Sequence, residues 1–321
     1  MFNSQTLDVL VGIVFIYCLV GIICTAVKEA LESLFKTRAS YLEYGIRELL
    51  HDPDGNGLAR TFFQHPLIRP LFPGEYQAGS SRKRPGPFTS GRDWPSYILA
   101  ANFTRALFDI AAHGADAGAA SAAGSQTAVD LATIRAGIGN LGNPAVERAM
   151  RAALDHSQGD IEQALKHMEQ WYDSAMDRVS GWYRRSTHRV LFCISLIVTI
   201  ALNINSLTLI HYLSVNAEAR ARIVTSAQTA SSTDSTNGLP TAVRQLEELA
   251  LPIGWNSGSI AAWNKESAAA LTYELTFGWL MTAFAGTLGA PFWFDILGRI
   301  TAIRSTIKPR DKSPQGTTTT A

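Results

Sequence analysis

A run of apolar residues from Leu7 to Val27 constrains this sequence more than any other feature. At about 1.5 Å per residue, a helix of this length crosses the hydrocarbon core of a bilayer, which is about 30 Å thick. A cleaved signal peptide would carry basic residues before its apolar run, whereas residues 1–6 have no charge and Lys28 follows the run. We therefore expect residues 1–27 to form a retained transmembrane helix with its N-terminus outside.

Two further apolar runs predict two more transmembrane helices, at 190–213 and 271–297. The third run ends in Phe292, Trp293 and Phe294, and aromatic residues of this kind are typical of a membrane–water boundary. Charged residues make up 17% of the chain, below the soluble average of about 25%, as expected when apolar residues are gathered into such runs. The sequence therefore predicts an all-α membrane protein with three transmembrane helices.

Basic residues near each predicted span indicate its orientation, because they concentrate on the cytoplasmic side. They follow the first and third spans and precede the second. These residues are Lys28, Lys36, Arg38, Arg178, Arg184, Arg185, Arg189, Arg299, Arg304, Lys308, Arg310 and Lys312. We expect 28–189 to be a helical cytoplasmic domain between spans 1 and 2, 214–270 an external segment, and 298–321 a cytoplasmic tail with a disordered end.

Two long helices are predicted at the ends of the cytoplasmic domain. Apolar residues at helical spacing extend the first span through 28–50. The capping pair Asp160 and Gln163 begins a second helix, 160–189, whose apolar residues alternate by four and three as in a coiled coil. These helices either pair as an antiparallel stalk or pack separately on the shorter helices between them, and both interpretations remain open.

Small and polar residues within the spans predict how the helices pack. Gly278, Thr282, Gly286 and Ala290 repeat every four residues along the third span, a spacing that favours close helix contact within the chain or between two copies. Asn203 lies near the middle of the second span, where a buried amide needs a hydrogen-bond partner on another helix.

Four other residues are expected at the membrane–water boundary: Trp182, Trp293, Asp295 and Arg299. Asp295 and Arg299 are four residues apart, so they predict an ion pair along one helix. The basic run 82–84 is either a solvated loop or a contact for anionic lipid.

Motifs that carry chemistry are missing from the sequence. Asp52, Asp54 and Asn56 imitate the start of a calcium loop, but Phe63 stands where a bidentate glutamate is needed, so we interpret them as a turn. The seven histidines have no metal-ligand spacing, and there is no Walker or nucleophile-elbow motif. We expect no enzyme activity, cofactor or metal, and the net charge of +1 indicates no nucleic acid partner.

Four stretches of the sequence resemble a bacterial family of uncharacterised membrane proteins. They are the first apolar run continuing into Lys28-Glu29-Ala30, HPLIRPLF at 65–72, MDRVSGWYRR at 176–185 and LGAPFWFDILGRI at 288–300. The resemblance implies three spans and a cytoplasmic helical domain, with the bacterial inner membrane as the location. It implies no assigned activity and no catalytic residue.

Three functions are compatible with this pattern. The favoured one is a non-enzymatic membrane anchor or scaffold, which contacts membrane lipid and whose cytoplasmic domain binds a protein partner or self-associates. The alternative is an oligomeric pore-forming or membrane-disrupting effector, with Asn203 lining the pore. An enzyme acting on lipid would rest only on scattered His and Asp residues.

Overall fold

The computed structural model describes residues 4–79, 83–86, 89–91, 93–114, 131–232, 239–249, 251–255 and 268–307. Every regular element in these ranges is helical, so the all-α class is confirmed for them. The α-helices are α1 Ser4–Phe35, α2 Thr37–Leu49, α3 Leu58–Gln64, α4 Ala100–His113, α5 Leu131–Gly137, α6 Pro144–His156, α7 Ile161–Ala201, α8 Ser206–Val215, α9 Ala217–Ser232, α10 Leu239–Glu248, α11 Ala268–Thr287 and α12 Ala290–Ile307. Two short 3-10 helices span Arg69–Leu71 and Ile138–Leu141.

The chain divides into two compact units. The terminal unit is drawn from Met1–Ala30 and His188–Ala321, and the inserted unit is Leu31–Thr187. Helix α7 is continuous from Ile161 to Ala201 and contributes to both units. Gly181 does not interrupt it, because the other residues of this stretch favour or tolerate helix.

The inserted unit has its own aromatic core. Phe62, Phe63 and Phe103 are fully buried. The Phe103 ring stacks on Tyr172 of α7 at 4.4 Å between centroids, and Phe63 stacks on Tyr76 at 4.3 Å. Burial of each such side chain contributes about 1.5–3 kcal/mol, which makes this cluster a principal source of the unit's stability.

Helix α7 also contacts α2 within the inserted unit. The rings of Tyr41 and Tyr183 lie 5.8 Å apart, and a Cβ added at Gly45 would lie 2.4 Å from Val179 Cγ2. Residue numbers rise along one helix as they fall along the other, so the two helices are antiparallel. The early turns of α7 pack on the core and the later turns on α2.

The predicted helix 28–50 is divided at Lys36. This residue adopts a left-handed conformation with φ of 50°, and α1 ends before it. The Glu32 carboxylate accepts hydrogen bonds from the Thr37 hydroxyl and from Arg38 N, which satisfies donors in the first turn of α2. The local capping at Lys36 therefore ends α1, although the apolar spacing continues through residues 28–50.

The terminal unit is built around α1. Among the described residues, one helix, Gln5–Phe35, is by itself long and apolar enough to cross a membrane. The count rises to three if each of two bent helix pairs is taken as one span. Most of the apolar stretch of α1 is buried by the rest of the chain.

Both later apolar runs contain a break that their hydropathy pattern does not predict. The run 190–213 is divided between α7 and α8, which are bent by 51°, and the run 271–297 between α11 and α12, which are bent by 95°. Asn203 has φ of 48° at the first break, and Gly289 has φ of 81° at the second. Pro291 lies in the first turn of α12, where its missing N–H costs no helical hydrogen bond.

Helices α9 and α10 fall in the segment 214–270, which was expected to be external. The structure packs them beside α1: a Cβ added at Gly12 would lie 3.0 Å from Ile223 Cγ2, and the two helices share a cavity with Phe15 and Ile22. They accompany the apolar helix rather than extend beyond its end. Residues 256–267 of that segment, and 308–321 of the predicted tail, lie outside the described residues.

Candidate functional site

Three buried hydroxyl groups join α1, α8 and α11 at the centre of the terminal unit. Tyr17 Oη lies 2.8 Å from Ser206 Oγ, which lies 2.7 Å from Thr282 Oγ1. Thr282 donates to the Gly278 carbonyl, so we infer that Tyr17 donates to Ser206 and Ser206 to Thr282. Each hydroxyl hydrogen then has an acceptor, which matters because an unsatisfied polar group buried among apolar helices costs several kcal/mol.

Asn205 restarts the helix after the break and brings α8 against α11. Its Oδ1 accepts from Leu207 N at 2.9 Å and Thr208 N at 3.2 Å, as a helix N-cap does. A Cβ at Gly278 would lie 1.9 Å from this Oδ1, so only glycine permits the approach.

The other residues of the predicted small face also contact their own chain. A Cβ at Gly286 would lie 2.2 Å from Ser195 Oγ, and one at Gly21 would lie 2.7 Å from Ala290 N. Together with Gly278 and Thr282, this face therefore packs α11 and the start of α12 against α1, α7 and α8. These contacts lie within one chain, and contact between two copies through this face stays a prediction.

Asn203 has both ends of its carboxamide engaged inside the terminal unit. Its Nδ2 donates to the Gly254 carbonyl at 3.1 Å, and its Oδ1 accepts from Trp279 Nε1 of α11 at 3.2 Å. Trp255 Nε1 donates to Ile200 O at 3.0 Å beside it. These contacts close the helix break with protein groups.

The face of α11 opposite its small residues is large, apolar and exposed. Phe277 and Phe284 are 61% and 64% exposed in the isolated chain. Leu280 and Met281 of the same helix are 47% and 39% exposed. A contiguous apolar surface of this kind is typical of a helix that faces lipid or another protein.

The residues predicted at the membrane boundary are placed in two groups. Trp182 lies in the inserted unit, with Arg84 Cζ 4.2 Å above its ring. Trp293 lies in the terminal unit, where its Nε1 donates to Ala285 O at 2.7 Å. Asp295 Oδ2 lies 3.0 Å from Arg299 Nη2, and both side chains are exposed.

A buried ion pair lies in the inserted unit, and the sequence analysis did not identify it. Glu43 Oε1 lies 2.9 Å from Arg47 Nε, with both side chains about 97–98% buried. Tyr76 Oη donates to the same Oε1 at 2.8 Å, and Arg47 Nη1 donates to Pro53 O at 2.6 Å. The i,i+4 spacing of Glu43 and Arg47 was the available signal, but that spacing is more common on exposed helix faces.

This network fixes the charge state of Tyr76. Burial, followed by the adjacent Glu43 carboxylate, raises the pKa of Tyr76 well above its usual range. The phenol therefore remains a donor at physiological pH. Arg47, through Pro53 O and Gly79 O at 3.4 Å, holds together two loop segments that line a polar cleft of about 440 Å³.

The Asp52 turn is structural, in agreement with its interpretation from the sequence. Its carboxylate accepts three backbone hydrogen bonds, from Gly55 N at 3.0 Å, Gly57 N at 2.8 Å and Ala59 N at 3.1 Å. Because these oxygens are directed at their own backbone, they are not arranged as calcium ligands.

A second polar cluster joins the 65–68 turn to α4. Asp109 accepts from His65 Nε2 and from His113 Nδ1, each at 2.9 Å. Leu67 N donates to His65 Nδ1 at 3.2 Å, so Nε2 is the ring nitrogen that donates to Asp109. Both nitrogens of His65 are thus used to hold the turn.

No group of three or more His, Cys, Asp or Glu within the described ranges is placed to hold a metal ion. No protein-family model matches this sequence, and comparison with curated proteins and with solved structures finds no match either. The arrangement of the described polar groups is one of capping, pairing and helix packing.

Proposed function

We propose that this protein is a non-enzymatic membrane anchor or scaffold, whose inserted unit binds a protein partner or a second copy of itself. The observation that carries this proposal is how the terminal unit distributes its polar and apolar side chains. Its buried Tyr17, Ser206 and Thr282 hydroxyls are hydrogen-bonded to one another, and its α11 presents a large apolar face outward. This is the arrangement expected of a helical unit surrounded by lipid.

The same proposal includes the number of membrane crossings and the side on which the inserted unit lies. The terminal unit crosses the membrane three times, with α7–α8 and α11–α12 each serving as one broken span. The basic residues beside the spans, such as Arg184, Arg185 and Arg189, favour a cytoplasmic position for the inserted unit. The location is then the bacterial inner membrane.

The inserted unit supports a binding role more than a catalytic one. Its buried ionisable groups, Glu43 and Arg47, contact each other and the backbone, while His65 and Asp109 hold a turn. The segment before α4 offers a contact surface instead: Tyr97 and Leu99 are 61% and 53% exposed on either side of buried Ile98. Tyr172 Oη donates to Ile98 O at 2.9 Å and keeps this segment in position. Exposed aromatic residues on a rigid support are common anchors of protein interfaces.

Cross-linking of the full chain in native membranes tests this function. Wild-type protein should yield a cross-linked partner or dimer, and Tyr97→Ala with Leu99→Ala should reduce that product. Leu34→Ala is the matched control, because Leu34 is an exposed leucine of the same unit outside the 97–99 segment. If the wild-type chain stays monomeric and captures nothing, the scaffold function is wrong.

A further inference from the structure

Three arginines of the inserted unit surround one indole ring. The guanidinium of Arg84 lies over the Trp182 ring, with 4.2 Å between its Cζ and the ring centroid. Arg178 and Arg185 stand four residues before and three residues after Trp182 on α7, so they are its neighbours on one face of that helix. All three arginines are exposed. We call these four residues the Trp182 site.

The arginines of the Trp182 site have few acidic neighbours. Among the described residues they form no salt bridge. Successive helical residues differ by about 100°, which places Asp173 and Asp177 about 140–180° from Trp182 around α7, on its opposite face. Exposed Glu48 lies four residues beyond Tyr44 of α2, whose ring is 6.2 Å from that of Trp182. Because α2 is antiparallel to α7, Glu48 lies on the side of Tyr44 that is farther from the apolar run.

The Trp182 site comes directly before the apolar run of α7. This helix is continuous from Ile161 to Ala201, and the run begins at Val190. At about 1.5 Å per residue, Arg185 is about 7.5 Å and Trp182 about 12 Å from the start of the run. The head-group layer on each side of a bilayer is about 5–8 Å thick. Arg185 therefore lies at the level of the lipid phosphates when the run enters the hydrocarbon core.

The chemistry of the Trp182 site fits a lipid phosphate. Guanidinium groups bind phosphate oxygens through two parallel N–H donors, and stacking on an aromatic face leaves these donors free. A soluble acidic protein would have to approach Arg185 within the head-group layer, where lipid phosphates are already concentrated. A zwitterionic choline head would bring its own cation beside three arginines, whereas an anionic head would not.

We propose that the Trp182 site binds the head group of an anionic membrane phospholipid. Arg84 and Arg185 contact its phosphate, and Arg178 adds to the positive potential. Of the two interpretations of the basic run 82–84, the proposal selects the contact with anionic lipid, through Arg84. It rests on the membrane location of the terminal unit and adds a head-group site on the inserted unit.

Head-group photo-cross-linking of the full chain tests the site. The protein is reconstituted in phosphatidylcholine nanodiscs that contain phosphatidylglycerol with a diazirine on its head group, or phosphatidylcholine with the same diazirine. Digestion with a protease that does not cleave at arginine, followed by mass spectrometry, locates the label in the wild type and in variants alike. We expect the phosphatidylglycerol probe to label residues 178–185 several-fold more than the phosphatidylcholine probe. A separate probe with its diazirine at the end of an acyl chain reports membrane insertion and should label α11 around Phe284.

Two variants and one matched control separate the site from general surface charge. Arg84→Gln and Arg185→Gln each remove one phosphate contact and should lower head-group labelling at 178–185 by about fivefold, which corresponds to about 1 kcal/mol per basic residue at an anionic surface. Arg184→Gln is the control, because Arg184 is exposed and adjacent to Arg185 but lies about 160° from Trp182 around α7. It removes the same charge at nearly the same depth and should leave the labelling nearly unchanged.

Labelling that is equal in the wild type and in Arg185→Gln, or that falls equally in Arg184→Gln, would overturn the site. Equal labelling by the two head-group probes would overturn the preference for an anionic lipid. Acyl-chain label around Phe284 without head-group label at 178–185 would overturn the lipid site while the membrane anchor stands. Absence of both labels would overturn the membrane location and the lipid site together.

Discussion

At the scale of single residues, close approach and hydrogen bonding decide where the helices of the terminal unit meet. Asn205 serves α8 as its cap and thereby occupies the space beside Gly278. Ser206 and Thr282 then align with Tyr17 in one chain of hydroxyl groups. The sequence indicated that the residues of α11 are small. It could not indicate their partners, because these come from helices far away in the chain.

We predict that Gly278→Ala destabilises the terminal unit by about 1–3 kcal/mol, the range for overpacking of a well-packed site. The added methyl meets Asn205 Oδ1, which cannot move without losing its cap. Gly298→Ala on α12 is the control, since a Cβ there meets nothing within 4 Å. Thermal unfolding in detergent should separate the two variants; equal midpoints would contradict the contact.

We predict that Tyr76→Phe lowers the free energy of unfolding of the inserted unit by about 1–3 kcal/mol near neutral pH, because the buried Glu43 carboxylate loses a donor. Urea unfolding of the full chain in mild detergent measures this. Tyr97→Phe, at an exposed tyrosine, is the control and should unfold like the wild type.

The same variant should change the response to alkaline pH. The pKa of Tyr76 is raised in the folded protein, first by burial and then by Glu43. Below about pH 10 the phenol is protonated in both states and contributes no slope; above it the unfolded state loses the proton that the folded state keeps. Stability therefore falls as pH rises above 10, and Tyr76→Phe should reduce that fall. An identical alkaline slope in both proteins would contradict the raised pKa.

At the scale of elements, the long helices could be predicted from the sequence, but the breaks within them could not. The start of α7 is capped by Asp160, which accepts from Glu162 N at 2.9 Å, and α7 continues into the apolar run as the spacing predicts. The breaks at Lys36, Asn203 and Gly289 depend on one or two residues with positive φ. A hydropathy pattern averages over such residues, so it predicts one span where the chain forms two helices.

The pairing of α2 with α7 gives a test by double-mutant cycle. Gly45→Ala should cost about 1–3 kcal/mol, because its Cβ would lie 2.4 Å from Val179 Cγ2. Gly181→Ala on α7 meets nothing within 4 Å and should gain up to about 1 kcal/mol. In Gly45→Ala/Val179→Ala the clash is relieved, so urea unfolding should show a coupling energy of about 0.5 kcal/mol or more. Strict additivity would contradict this contact.

At the scale of the whole molecule, the sequence predicted an all-helical chain with apolar runs at both ends of a polar domain. The basic residues beside the spans placed 214–270 outside the membrane. The structure packs α9 and α10 of this segment along α1. Amphipathic helices can accompany an apolar helix when their polar groups face a cavity, and local composition does not reveal this arrangement.

The central claim is that α1 and its surrounding helices hold the protein in a bilayer. Sedimentation of membranes that carry the full chain, after a wash in alkaline carbonate, tests it most directly, because the wash removes proteins bound by surface charge and leaves spanning helices in place. We predict that the chain remains in the membrane pellet and is released only by detergent. Recovery of the chain in the carbonate supernatant would contradict the membrane anchor.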